Sequence, residues 1–251
     1  LEDGIRAIEA AEEALNVWPG SAAVDILERL YQAQESWYEL AGLYERAMAD
    51  ELRPRAEACF ALGDLAARRL DDVGRAIDCF RETLEEEPGH PKAMKALMTL
   101  AKEGDYRSEA VDLLEPEYTR EGDWVQVLAL LETRYEVDDD PDRRKETLRR
   151  IGQVNEDSID DLGAALDAFA RLCLEDPDDE AAWVTFSRAA RAHDEPSRQA
   201  KAQSRLLDGL QYDNAFSAAL AFETGMLFSR MGSEPRDAIP YFTRALEFDP
   251  E

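Results

Sequence analysis

Residues 62–88 read LGDLAARRLDDVGRAIDCFRETLEEEP. Small and apolar residues fall at Leu62, Leu65, Ala66 and Leu70, then at Ala76, Ile77, Phe80, Thr83 and Leu84. Both sets follow helical spacing, and the run Asp71-Asp72-Val73-Gly74 separates them. The stretch predicts two helices joined by a tight turn, an αα-hairpin.

The pattern returns at fixed offsets. Adding 89 to Gly63, Gly74, Ala76, Phe80 and Pro88 reaches Gly152, Gly163, Ala165, Phe169 and Pro177. Adding 162 to Gly63, Ala76, Ile77, Phe80, Leu84 and Pro88 reaches Gly225, Ala238, Ile239, Phe242, Leu246 and Pro250. Subtracting 69 from Leu70, Ala76, Ile77, Leu84 and Pro88 reaches Leu1, Ala7, Ile8, Leu15 and Pro19, a weaker copy. A lone hairpin cannot bury its apolar face, so repeated hairpins must stack on one another.

At these residues the chain resembles the tetratricopeptide repeat family, whose unit of roughly 34 residues carries A-x3-F…P in its second helix. Ala76, Phe80, Leu84 and Pro88 carry the signature, as do Ala165, Phe169, Cys173 and Pro177, and Ala238, Phe242, Ala245, Leu246 and Pro250. The first-helix pair is Leu62-Gly63, Ile151-Gly152 and Thr224-Gly225. The chain is divergent. The family's first-helix Trp and Tyr are missing, and Gly63 to Ala76, Gly152 to Ala165 and Gly225 to Ala238 are each one residue longer than usual. A longer turn inside each hairpin is the expected consequence. The resemblance implies an all-α, right-handed α-α superhelix, a solenoid of about fourteen antiparallel helices in hairpins, with essentially no strand.

Further helices are expected at 3–17, 21–34, 36–50, 91–103, 106–120, 123–137, 180–192, 196–210, 215–231 and 235–248, with Pro116 bending the helix that contains it. Trp37, Leu40, Leu43 and Pro54 map onto Trp124, Val127, Leu130 and Pro141, each 87 residues on. A larger unit therefore recurs at about 37–97 and about 124–186. The expected organisation is one solenoid over 1–251, opening on a half-repeat at 1–19 and closing on a hairpin at about 215–250. Neither end reads as a polar cap, so the chain is expected to be a section of a longer array whose exposed apolar ends associate end to end.

Composition narrows the function. Net charge is −27, from 56 acidic and 29 basic residues, which repels nucleic acid and anionic membranes. No apolar run reaches the roughly 18 residues of a membrane span, and no signal peptide is visible. Cys59, Cys79 and Cys173 lack zinc-ligand spacing, and the only histidines, His90 and His193, lie far apart. They read as buried thiols in a reducing compartment, with the cytoplasm as the expected location. Arg greatly outnumbers Lys, which occurs only at 92, 95, 102, 145 and 201, a composition pointing to a GC-rich bacterial genome. The runs 138–142 and 176–180 lack the alternating ligands, Gly and distal Glu of a calcium loop, and read as N-caps.

No phosphate loop, nucleophile elbow or metal motif is present, so no enzyme, cofactor or metal is expected. The expected function is a protein–protein interaction scaffold whose concave groove takes a peptide or protein. A rigid spacer within a giant repeat protein and an accessory subunit of an enzyme assembly are the alternatives. By resemblance, groove-facing positions on the first helices include Phe60, Asp64 and Arg68, then Lys92, Lys95, Thr99 and Lys102. Arg149, Gln153 and Glu156, Arg188 and Arg191, and Phe222, Met226 and Arg230 follow on later helices. This wall is more basic than the chain as a whole, which suits a carboxylate or an acidic peptide. The family's C-terminal-carboxylate clamp needs Asn with Lys and Arg, and Asn16, Asn155 and Asn214 occupy no matching position. Chaperone tails are therefore not an expected partner.

Overall fold

The computed structural model describes residues 2–192, 196–231 and 235–248. Leu1, His193, Pro250 and Glu251, used in the sequence reading, lie outside the described residues. The described residues form fourteen helices and no strand. They divide into two compact units, Leu1–Gly122 and Asp123–Glu251.

The first unit holds α1 (Glu2–Val17), α2 (Ser21–Ala33), α3 (Trp37–Ala49), α4 (Arg55–Leu65), α5 (Val73–Glu86), α6 (Pro91–Leu100) and α7 (Arg107–Glu121). Each helix packs on the next in sequence. Leu15, Val24, Leu27, Tyr31, Leu40, Tyr44 and Leu62 meet in one core, so α1 to α4 share a single apolar interior. Two of these core residues are tyrosines, and each satisfies its hydroxyl by donating to a carboxylate: Tyr31 to Glu12 and Tyr44 to Glu28.

The second unit holds α8 (Trp124–Val137), α9 (Pro141–Val154), α10 (Leu162–Glu175), α11 (Glu180–Ala192), α12 (Pro196–Gly209), α13 (Ala215–Arg230) and α14 (Pro235–Phe248). Phe169, Leu172, Trp183, Phe186, Leu206 and Leu207 are buried in it.

The repeated Gly and Phe meet in three hairpins: Gly63 of α4 on Phe80 of α5, Gly152 of α9 on Phe169 of α10, and Gly225 of α13 on Phe242 of α14. A Cβ on Gly63 would lie 2.8 Å from the Phe80 ring, and one on Gly225 2.8 Å from that of Phe242. Only a residue without Cβ lets the ring lie against the first helix.

In the third copy the turn at 232–234 lies outside the described residues; in the first two, the extra residue of the Gly-to-Ala spacing is not in a longer turn, contrary to the sequence expectation. It is absorbed by a π-helical end to the first helix, Ala66–Leu70 after α4 and Asn155–Ile159 after α9. A π-turn holds one residue more than an α-turn. Asp71 and Asp160 then turn left-handed, at φ 53° and 61°, a conformation that a short polar side chain tolerates. Asp72 and Asp161 cap the second helices, each accepting a backbone N–H at 3.0 Å, from Arg75 and Ala164.

The acidic runs before helices also cap. Asp140 Oδ1 accepts from Asp142 N at 2.9 Å, and Asp179 Oδ1 accepts from Ala181 N at 3.0 Å. Pro116, expected to bend its helix, does not end it: α7 runs from Arg107 to Glu121 with the proline inside. The proline sits on the exposed face, where water can serve the carbonyl that loses its N–H partner.

The three thiols are buried and unpaired. Burial, together with the neighbouring Glu82, pushes Cys59 from 9.0 to about 12. Burial pushes Cys79 to about 11 and Cys173 to about 12. The folded thiols stay protonated while unfolded ones ionise above 9.0, so stability falls as pH rises through that value toward the raised ones. Two outcomes are expected: a falling denaturation midpoint above that pH, and alkylation of all three by iodoacetamide that tracks unfolding. Fast alkylation of the native protein at neutral pH would contradict this burial.

Candidate functional site

In the first unit a cleft of about 910 Å³ opens against α2, α3, α4 and the start of α6. Trp37, Leu40, Tyr44 and Leu65 form its apolar lining, while Glu28, Glu57, Asp64, Arg68, Glu87 and Lys92 edge it. Beside it a groove of about 340 Å³ runs between α4 and α6, lined by Phe60, Asp64, Arg68, Lys92, Lys95, Ala96 and Thr99. The structure thus brings six predicted residues together: Phe60, Asp64, Arg68, Lys92, Lys95 and Thr99. Lys102 lies just past the end of α6.

Phe60 is the fixed point of this groove. Its ring leans on Phe80 at 6.0 Å and on His90 at 5.2 Å, and Lys92 Nζ stands 5.9 Å from its centre. His90 is itself anchored, since its Nδ1 accepts from Ala93 N at 3.2 Å and caps α6. Arg68 pairs with Asp64 at 2.7 Å on its own helix, and Arg69 covers the Trp37 ring at 4.8 Å. Lys92, Lys95 and Lys102 are exposed, and among the described residues none of the three is held in an ion pair.

The second unit treats its predicted arginines differently. Arg188 of α11 makes two bonds to Glu156, at 2.6 and 2.7 Å. Arg191 reaches Glu223 of α13 at 2.9 Å, and Arg149 of α9 reaches Asp179 at 2.8 Å. These acids lie 30 to 32 residues from their arginines, one hairpin along. The Arg188 guanidinium holds the Glu156 carboxyl below its ordinary value. That contribution is present above the ordinary carboxylate range, is lost as pH falls below it, and is worth under about 1 kcal/mol at so exposed an arginine. Gln153 is exposed beside this ladder.

Between α11 and α13 lies a second, more apolar pocket of about 460 Å³, lined by Trp183, Val184, Phe216 and Leu220 with Arg188, Arg191 and Glu223 at its rim. Trp183 and Phe216 stack at 6.0 Å, and Trp183 Nε1 donates to the Pro177 carbonyl at 2.7 Å. Phe222 joins neither this pocket nor the arginines. It packs edge-on to Phe242 at 5.8 Å, on an apolar face of α13 and α14 with Leu246 and Phe248. Met226 and Arg230 follow on α13, half-buried and exposed.

Sequence reading missed Trp37, His90, Trp183, Val184 and Phe216 as lining residues. Their signal is positional: Met94 and Lys95 of α6 map onto Trp183 and Val184 of α11, 89 residues on. Among the described residues no three potential ligands gather into a metal site, and no helix is long and apolar enough to cross a membrane.

No family model matches the chain, and no curated protein matches it. Among solved structures it is similar to the C-terminal part of a TPR repeat-containing protein from Cytophaga hutchinsonii, at 12% identity over 99% of this chain and 91% of that one, TM-score 0.32. It is also similar to the TPR2AB domain of yeast Sti1 in complex with pHSP90, at 13% identity over 96% and 92%, TM-score 0.33. A tetratricopeptide repeat protein from Parabacteroides merdae aligns at 15% identity over 99% and 88%, TM-score 0.31. The described residues form helices packed as hairpins, three of which share the same Gly–Phe contact.

Proposed function

We propose that this chain is a non-enzymatic interaction scaffold whose first helices offer preformed grooves to a peptide or protein segment. The observation that carries the reading is the groove between α4 and α6, where exposed lysines without ion-pair partners border a half-buried aromatic ring. A solvated outer face has no need of such a ring. That the two units belong to one repeat array is part of the reading, supported by the duplication of 37–97 at 124–186. A second reading, a rigid spacer, is favoured by the ion-pair ladder of the second unit, which ties successive hairpins together.

The test is capture of partners from the source lysate at low and at high salt, with steric blocks placed in each groove. Ala96→Trp fills the first groove and Val184→Trp the second, both without changing charge. Tyr38 and Val125, 78% and 72% exposed at equivalent positions of α3 and α8, supply outer-face controls as alanine variants. Capture lost with either block and kept by the controls is the expected result. No capture at either salt, or loss only with the controls, would favour the spacer.

A further inference from the structure

We infer that the groove between α4 and α6 takes an acidic, extended peptide segment, one with at least three Asp or Glu side chains in a stretch of about five residues. The inference rests on the scaffold reading and names the chemistry of its partner.

Three of the five lysines of the chain, Lys92, Lys95 and Lys102, belong to α6 and its end. On a helix, residues three apart share a face, and Lys92 and Lys95 both line the groove. Lys102 follows in the turn just past the end of α6, outside the groove lining, and the stretch from Lys92 to Lys102 spans about 15 Å at the helical rise, the length of four or five extended residues. On a protein of net charge −27 such a row is not a product of average composition.

The duplicated copy shows that the row is specific to this unit. Lys95 becomes Val184 and Lys102 becomes Arg191, and Arg191 is already neutralised by Glu223. The second unit meets its groove cations with its own carboxylates. The first unit leaves the same job to a ligand. Acids are close by: Asp64 is engaged with Arg68, and Glu57 and Glu87 edge the larger cleft that Lys92 also borders, while Lys95 faces the smaller groove, which neither of them lines. Those acids and the overall charge disfavour a long polyanion such as nucleic acid. A short acidic segment can lie on the lysines without crossing them. Phe60, with Lys92 above it, adds an apolar contact at one end of the row.

The experiment is fluorescence anisotropy with the whole chain and a labelled short peptide of alternating Asp and Glu, against its Asn/Gln counterpart. The acidic peptide should bind and weaken as salt rises, and the amide peptide should not bind. The double variant Lys92→Glu/Lys95→Glu should weaken binding by about tenfold or more. Lys201→Glu/Arg205→Glu on α12 makes the same change in net charge elsewhere and should leave binding within about twofold. All four side chains are exposed, and circular dichroism verifies that each variant is folded. Equal binding of the amide peptide, binding that survives the α6 reversal, or no binding of the acidic peptide would overturn the inference. Equal competition by single-stranded oligothymidylate would also overturn it, by showing a general anion surface. A lysate partner blocked by Ala96→Trp yet indifferent to the α6 reversal would retain the scaffold and sink the acidic segment.

Discussion

Gly152→Ala is expected to destabilise the protein by about 2–3 kcal/mol, although alanine is the better helix former by about 1 kcal/mol. The new methyl would lie 2.5 Å from Phe169 Cζ and 2.7 Å from Cδ1, and closer still to Cε1. Phe169 is 1% exposed and Leu172 beside it fully buried, so the ring has no free volume to enter. The helices α9 and α10 must part, and every contact between them weakens. Gly42→Ala is the internal control. Gly42 is exposed inside α3, and a Cβ there meets nothing within 4 Å. It should stabilise by about 0.5–1 kcal/mol. Thermal denaturation followed by circular dichroism measures both. Opposite signs are expected, and a Gly152→Ala protein as stable as the parent would refute the close packing of this hairpin. In a repeat protein the loss should be local, so hydrogen exchange should rise most in α9 and α10.

Phe80→Ala is expected to cost about 3–5 kcal/mol. Phe80 is 0% exposed and fills the space between α4 and α5, with Gly63 on one side and Phe60 6.0 Å away. Gly63, against which the ring lies, has no side chain to close the cavity. The equivalent Phe242 is only half-buried, because the α13–α14 face with Phe222 and Leu246 is open. Phe242→Ala should therefore cost less, about 1–2 kcal/mol. Urea denaturation of the two variants tests this ranking. Equal losses would mean that burial does not set the value of the repeated phenylalanine.

Phe60 depends on Phe80 for its position, so the stability and binding predictions meet in one place. Losing Phe80 removes the ring against which Phe60 leans, and the groove should lose its shape as well as its stability. Reversing Lys92 and Lys95 touches charge alone. The two variants separate a groove that fails because it collapses from one that fails because its charge is wrong.

Much of the fold is legible in residues 62–88, because hairpins are local. Apolar spacing marks α4 and α5, Gly63 and Phe80 recur together seventeen residues apart in each of three copies, and paired aspartates mark the start of the second helix in two of them. The candidate groove is half legible. Phe60, Asp64, Arg68, Lys92 and Lys95 line one groove because helical spacing, which the sequence shows, sets them on the sides of α4 and α6 that border it.

The sequence by itself determined helices, caps, hairpins and their repetition, all consequences of contacts within about one repeat of chain. Only the tertiary structure decided where the extra residue goes. A π-turn and a longer loop share one sequence spacing, and packing Gly63 on Phe80 selects the turn at Ala66–Leu70. Tertiary structure also decided which groove charges remain available. Arg188 and Arg191 read as free cations along the chain, yet stacking sets Glu156 and Glu223 beside them, each 32 residues away. Lys92, Lys95 and Lys102 gain no such partner among the described residues. Helical periodicity is a property of neighbours in sequence, whereas charge pairing depends on the rotation of one hairpin against the next.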